Sequence, residues 1–185
     1  MQQDILTGKK IILGVTGGIA AYKSCLIVRE LIKRGAEVKV VMTPSACQFI
    51  TPLTLSSLSQ NSVIVSMFPP DQHNSVDMKT WHIDYALWAD TMLIAPATVN
   101  TIAKIANGFA DNALTTLAMA MRTPLIIAAA ADVDMYMNQI SQSNIKKLEE
   151  YGAFIIEAEE GFLASGLSDI GRLASIEKII DSVEI

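Results

Sequence analysis

A chain of 185 residues with a formal charge of -5 and two cysteines, Cys25 and Cys47, can build a core without disulfide or metal staples. Hydrophobic residues make up 51% and charged residues 18%, which excludes a disordered chain and an all-over basic surface for nucleic acid. The mean hydropathy of +0.36 is high, but polar residues interrupt each apolar run before the roughly 20 residues that a membrane span needs. The surplus apolar surface is therefore expected in a parallel sheet or a subunit interface. The opening MQQDILTGKK carries acid early and has no apolar core before Ile11, unlike a secretory signal, so a cytoplasmic location is the default expectation.

Residues 10–16, KIILGVT, form an apolar run ending at Gly17-Gly18. IAAYKSCLIVRELIKRG then has helical periodicity, with Ile19, Tyr22, Leu26, Ile27, Leu31 and Ile32 as one expected buried face and Gly35 as the stop. AEVKVVMT is a second strand, completing a βαβ unit opened by a glycine turn. SACQFITPLTLSSLSQ is expected to be a helix broken at Thr51-Pro52, because the residue before proline is pushed out of the helical region. SMFPPDQHNSVDMKT loses apolar periodicity and reads as a surface loop, with residues 69–80 as the candidate cover for a site. HIDYALWA predicts a short helix and MLIAPA a strand. TVNTIAKIANGFADNALTTLAMAM has helical spacing interrupted near Asn107-Gly108. PLIIAAAA is a further strand, and DVDMYMNQISQSNIKKLEEYG becomes an amphipathic helix by Ser143. GAFIIEA reads as a late strand, EEGFLASGLSDIGRL as a glycine-containing loop, and SIEKIIDSVEI as a closing helix. Four or five buried strands alternating with helices, without repeat or low-complexity linker, predict a three-layer α/β sandwich with a parallel sheet in a single domain over 1–185.

Such folds hold ligands at the carboxyl ends of their strands, where helix N-termini present free N–H groups. The candidate ends are Thr16 to Ala20, Met42 to Ser45, Pro96 to Thr101 and Ala128 to Asp134. Gly17 and Gly18 let backbone approach an anion, but the loop lacks GxGxxG spacing and the GK[ST] ending of a triphosphate site. A single phosphate fits, and so does a bare strand-to-helix turn. Thr43 and Ser45 serve either a phosphate or a helix cap. His82, beside Trp81, is the residue type suited to moving protons near neutrality or is structural; His73 reads as exposed. Asn100 is a cap or a reader of a ring edge, and Lys104 a partner on its face or a solvated charge. Asp132 and Asp134 can cap a helix or contact substrate. Two histidines without clustered thiols or spaced carboxylates predict no metal site.

Taken together, KKIILGVTGGIAAYKS, VVMTPSACQFITPLTLSSLS, WHIDYALWADTMLIAPATVNTIAKIANGFADNALTT, PLIIAAAADVDMYMNQISQSNIKKLEEYG and EEGFLASGLSDIGRLA resemble the homo-oligomeric flavin-containing cysteine decarboxylases, and within them the phosphopantothenoylcysteine branch of coenzyme A biosynthesis. APATVNTIAK with the preceding His82 is specific in combination, and the family's Pro-x-Met-Asn-x-x-Met-Trp signature falls on Ala129, Ala131, Asp132, Met135 and Tyr136. The resemblance implies a Rossmann-like or flavodoxin-like flavoprotein domain, assembled as a homotrimer or dodecamer with FMN at a subunit interface. Carried over by position, Gly17, Gly18, Ser45, Thr98 and Asn100 would contact FMN, with Ile19, Thr43 and Thr101 beside them. His82 would be catalytic, and Ala131, Asp132, Met135 and Lys104 would line the substrate, 4'-phosphopantothenoylcysteine. In the implied reaction FMN oxidises the substrate's thiol to a thioaldehyde, CO2 leaves, and reduced FMN returns the electrons to give 4'-phosphopantetheine. Two positions depart from the pattern. Asp132 replaces the usual asparagine, and Ser165 replaces a cysteine used in the final reduction, so that without another proton donor catalysis would stop at an enethiol. The alternatives are a peptidyl-cysteine decarboxylase, a prenyl-flavin-forming relative, or a non-catalytic FMN-binding regulatory subunit. The length also implies that ligation of cysteine belongs to another protein or to a part not in this sequence.

Overall fold

The computed structural model describes residues 6–68 and 80–184. The apolar runs pair as a six-stranded parallel sheet: β1 (Lys10–Val15), β2 (Glu37–Met42), β3 (Val63–Ile64), β4 (Thr91–Ala97), β5 (Leu125–Ala129) and β6 (Phe154–Ile156), in the order β3-β2-β1-β4-β5-β6. Every residue of β4 is buried, as a central strand covered on both faces requires. On one face lie α1 (Ser24–Lys33), α2 (Pro52–Ser59) and α8 (Ile176–Asp181), packed through Ile27, Leu31, Leu55 and Ile179 against Leu13, Val40 and Leu93. On the other lie α3 (Trp81–Trp88), α4 (Val99–Ala106), α5 (Ala113–Ala120), the single turn α6 (Val133–Tyr136) and α7 (Gln139–Glu150), packed through Trp81, Ile102, Leu114 and Leu148 against Ile12, Ile94 and Ile127. The three-layer sandwich with a parallel sheet is thus observed, with one more strand than expected.

Three elements differ from expectation. The segment after Gly18 opens as a 3-10 turn, Ile19–Lys23, before α1 begins at Ser24. Three residues per turn instead of 3.6 shifts the helical phase, so the sheet receives Ile27, Val28 and Leu31, while Ile19, Tyr22, Leu26 and Ile32 stay exposed. The two-residue β3 is too short to leave a period in the sequence. EEGFLASGLSDIGRL is a hairpin rather than a loop: β7 (Glu159–Phe162) pairs antiparallel with β8 (Ser168–Arg172). Its polar, largely exposed residues give no apolar alternation. The break at Thr51-Pro52 is found as expected, with Thr51 capping α2, and Gly35 ends α1 at φ +90°. Of the 69–80 cover segment only Thr80 is described; Pro69, Pro70 and His73 lie outside the described residues.

Candidate active site

The chain winds outward in both directions from β1 and β4, so the order reverses between these neighbours and leaves a crevice beyond their carboxyl ends. Thr16, fully buried at the end of β1, closes the floor. Its Oγ1 donates to Pro96 O at 2.7 Å and accepts from Thr98 N at 2.9 Å, joining segments 80 residues apart. Thr43 N donates to Val15 O at 3.0 Å, and Ala130 N to Ala97 O at 3.0 Å. Three of the four predicted strand ends are thereby stitched to their neighbours at one edge, and the fourth follows through Ala130.

Gly17 and Ser45 bring the first two loops into contact. A Cβ on Gly17 would meet the Ser45 side chain and lie 2.7 Å from its carbonyl carbon, whereas one on Gly18 would meet only Thr98 Cγ2 at 3.4 Å. The amides of Gly17, Gly18 and Ser45 donate to no group among the described residues, which leaves a concave set of N–H donors of the kind that holds a phosphate. Thr43 is buried; its Oγ1 accepts from Ala46 N at 3.3 Å and pairs with Ser45 Oγ at 3.1 Å. Thr43 thus braces the loop, and Ser45 is the exposed member.

Thr98, not Asn100, caps α4: its Oγ1 accepts from Thr101 N at 3.4 Å. That removes the capping reading of Asn100, which sits exposed in the first turn. Thr101 is buried beneath the cap and bonded to Thr98 through its hydroxyl at 3.3 Å. Lys104 binds Asp111 at 2.5 Å, and this ammonium holds the Asp111 carboxyl below the usual carboxylate range. The structure thus gives Lys104 a partner within the α4–α5 junction, while Ile19, 62% exposed, stands at the crevice rim after Gly18.

Helix α3 runs back to β4 across a parallel crossover, so its first turn, which carries half-buried His82, lies at the carboxyl edge of the sheet. Trp81 stands edge-on to His82 with centroids 5.8 Å apart, and its Nε1 donates to Met67 O at 2.9 Å.

Asp132 precedes α6, but its carboxylate makes no cap bond. Ala131 and Asp132 are half-buried and Met135 is 54% exposed. The hairpin is docked onto this loop by Ala131 N, which donates to Gly171 O at 3.1 Å. Ser165 lies at the exposed hairpin turn, the opposite end from Gly171. A groove of about 520 Å³ runs between α7 and β6 and shares only Tyr136 with the signature positions. It is not the crevice.

The sequence places Thr16 only at the start of a candidate strand end, without a role, and does not single out Gly171. A hydroxyl directly before Gly17-Gly18 was the available signal for Thr16; nothing local marks Gly171. With φ +139° and a position where a Cβ would run into the Ala131 carbonyl oxygen, Gly171→Ala is expected to cost about 1–3 kcal/mol and to unseat the hairpin. Chemical denaturation of the variant measures this, and unchanged stability would contradict the docking.

Comparison with known proteins places these features in a family. Residues 2–184 match the flavoprotein family model. The coenzyme A biosynthesis bifunctional protein CoaBC of Borreliella burgdorferi is 48% identical over 172 residues, 93% of this chain and 43% of that protein. The chain thus spans less than half the length of such bifunctional relatives. A probable phosphopantothenoylcysteine decarboxylase of Streptococcus mutans is 42% identical over 178 residues, 95% of this chain and 97% of that one. Among solved structures, a cysteine-to-serine variant of PPC decarboxylase complexed with pantothenoylaminoethenethiol superposes with TM-score 0.80 at 29% identity, covering 95% of this chain and 96% of that chain. With its strand order, its crevice and a match over nearly its whole length, the chain belongs to the flavoprotein family, in the group that includes the phosphopantothenoylcysteine decarboxylases.

Proposed function

We propose that the protein binds FMN in the β1/β4 crevice and decarboxylates 4'-phosphopantothenoylcysteine to 4'-phosphopantetheine and CO2. The observation that carries this reading is the set of Gly17, Gly18 and Ser45 amides, which have no acceptor among the described residues, beside Thr98 at the carboxyl edge of β1 and β4; the topology turns the His82-bearing end of α3 toward that same edge. The S. mutans relative, matched over nearly its full length, supports the substrate class.

In this reading the three amides hold the FMN phosphate, and the Thr98 hydroxyl and Asn100 amide face the ring system, with Ile19 as an apolar wall. Thr43 and Thr101 keep those loops in place. Bound FMN would supply the sink for the thiol's electrons, which lets the neighbouring carboxylate leave as CO2, and would return the electrons afterwards. His82 moves the proton at the substrate sulfur. Ala131, Asp132, Met135 and Lys104 line the substrate side, with the hairpin carrying Ser165 over it. The exposed Ile19, Tyr22 and Leu26, spaced to share one helical face, support a homotrimer or dodecamer that covers them. No described helix is long and apolar enough to cross a membrane, and a cytoplasmic location belongs to this reading.

The test is direct. Purified protein is expected to be yellow, with flavin bands near about 370 and 450 nm, and to convert substrate under anaerobic conditions as read by mass spectrometry. Colourless protein that takes up no FMN contradicts the cofactor assignment, and unchanged substrate favours a non-catalytic FMN-binding role. Accumulating enethiol locates the shortfall at the return step. In that case Ser165→Cys is expected to raise the fully reduced fraction, since a thiol is the better acid; an unaltered product ratio would remove Ser165 from that step. Asp132→Asn is expected to retain or raise turnover, because an ionised carboxylate facing the substrate's own carboxylate repels it. Complete loss of turnover would show that the Asp132 charge or proton is required.

A further inference from the structure

We propose that Lys39 is a positioning residue for His82, acting through an aromatic bracket that seats helix α3 on the sheet. The inference rests on His82 acting in the chemistry as read above. Lys39 lies on β2 between Val38 and Val40, whose side chains join the core on the opposite face. It therefore points toward α3. Its Nζ stands 4.5 Å from the centroid of the Tyr85 ring and 4.1 Å from that of Trp88, both inside the roughly 6 Å range of cation–π attraction. Tyr85 and Trp88 are one helical turn apart, hence on one face of α3. Among the described residues Lys39 forms no ion pair within 4 Å; the Glu37 and Asp84 carboxylates attract it from farther away, and the two rings are its direct contacts.

The contact continues toward the site. Tyr85 meets Trp81 edge-on at 5.7 Å, and Trp81 meets His82 edge-on at 5.8 Å. A line of side chains thus runs from the sheet at Lys39 through Tyr85 and Trp81 to the imidazole. Helix α3 depends on such packing: it has eight residues and no side-chain cap at Thr80, and a helix this short is unstable by itself. Ile83 and Leu87 project outward, so they do not anchor it to this sheet. Burial lowers the Lys39 ammonium from its ordinary lysine value, as expected for a cation held between rings, where desolvation strengthens the attraction.

The experiment compares the holoenzyme with Lys39→Met and Lys39→Arg. Three readouts are needed: flavin occupancy, the separate kcat and KM, and nuclear Overhauser contacts between His82 and Trp81 in histidine-labelled protein. Lys39→Met is expected to keep its flavin and its KM within about twofold. Its kcat should fall about fivefold or more, the rate equivalent of one cation–π contact, with the His82–Trp81 contacts weakened. Lys39→Arg restores both, because guanidinium stacks on the same rings. In a His82→Asn background, Lys39→Met should add no further loss. Wild-type kcat and intact contacts in Lys39→Met would overturn the proposal, as would failure of Lys39→Arg to rescue or an equal loss in the His82→Asn background. If the holoenzyme proves not to decarboxylate, the function reading fails, and the Overhauser contacts still decide the positioning role. Should Lys39→Met not fold, Trp88→Leu removes one wall of the bracket and is expected to give the same pattern at smaller amplitude; unaltered contacts there overturn it equally.

Discussion

His82→Asn is expected to lower decarboxylation by about 100- to 10,000-fold, the range that a general acid–base group contributes, while the protein stays yellow. Asparagine preserves polarity and approximate size but cannot carry a proton between substrate and solvent. The effect should fall on kcat, because His82 sits on α3 while the amides of Gly17, Gly18 and Ser45 lie on the loops after β1 and β2. Steady-state assays with visible absorption of the same preparations separate the two functions. Wild-type turnover in the variant would refute the assignment, and joint loss of flavin and turnover would show that His82 serves binding instead.

The second large effect is expected from Gly17→Ala. The added methyl would lie 2.7 Å from the Ser45 carbonyl carbon as well as against its side chain. Side-chain rotation relieves only part of that collision, so the β1 and β2 loops must separate. Overpacking of this kind costs about 1–3 kcal/mol, and if the strain is released in the cradle, FMN affinity falls roughly 10- to 100-fold. Gly18→Ala separates the loop collision from crowding of the cradle itself, since within the protein its methyl would meet only Thr98 Cγ2 at 3.4 Å, an ordinary contact. Flavin titration of the apoproteins distinguishes them. Wild-type affinity in both variants would place the phosphate elsewhere.

Much of this architecture is legible from local signals. The sheet strands β1, β2, β4, β5 and β6 are apolar runs bounded by glycine, proline or charge, and Gly17, Gly18, Ser45 and Thr98 stand out because each follows one of them. The phase of α1 is not legible, because a 3-10 turn at Ile19–Lys23 looks like the start of an α-helix until its hydrogen bonds are seen. The hairpin of β7 and β8 is hidden by its polar composition, since pairing there rests on backbone bonds and on Gly171 packing against Ala131. Thr16 bonds to Pro96, 80 positions away, and Lys39 reaches rings on an element that follows it by some forty residues. Such pairs exist only once the sheet order is known. Asn100 shows the reverse case: the residues alone allowed a cap, and the Thr98 hydroxyl occupies that role instead.

A crystal structure of the assembled protein with FMN and a substrate analogue would show whether the crevice holds the flavin beside His82. The flavin phosphate is expected on the amides of Gly17, Gly18 and Ser45, the ring beside Thr98 and Asn100, and the His82 imidazole of the same or a neighbouring subunit within hydrogen-bonding reach of the analogue's sulfur. A flavin bound outside the β1/β4 crevice, or a His82 remote from the sulfur in every subunit, would contradict that arrangement.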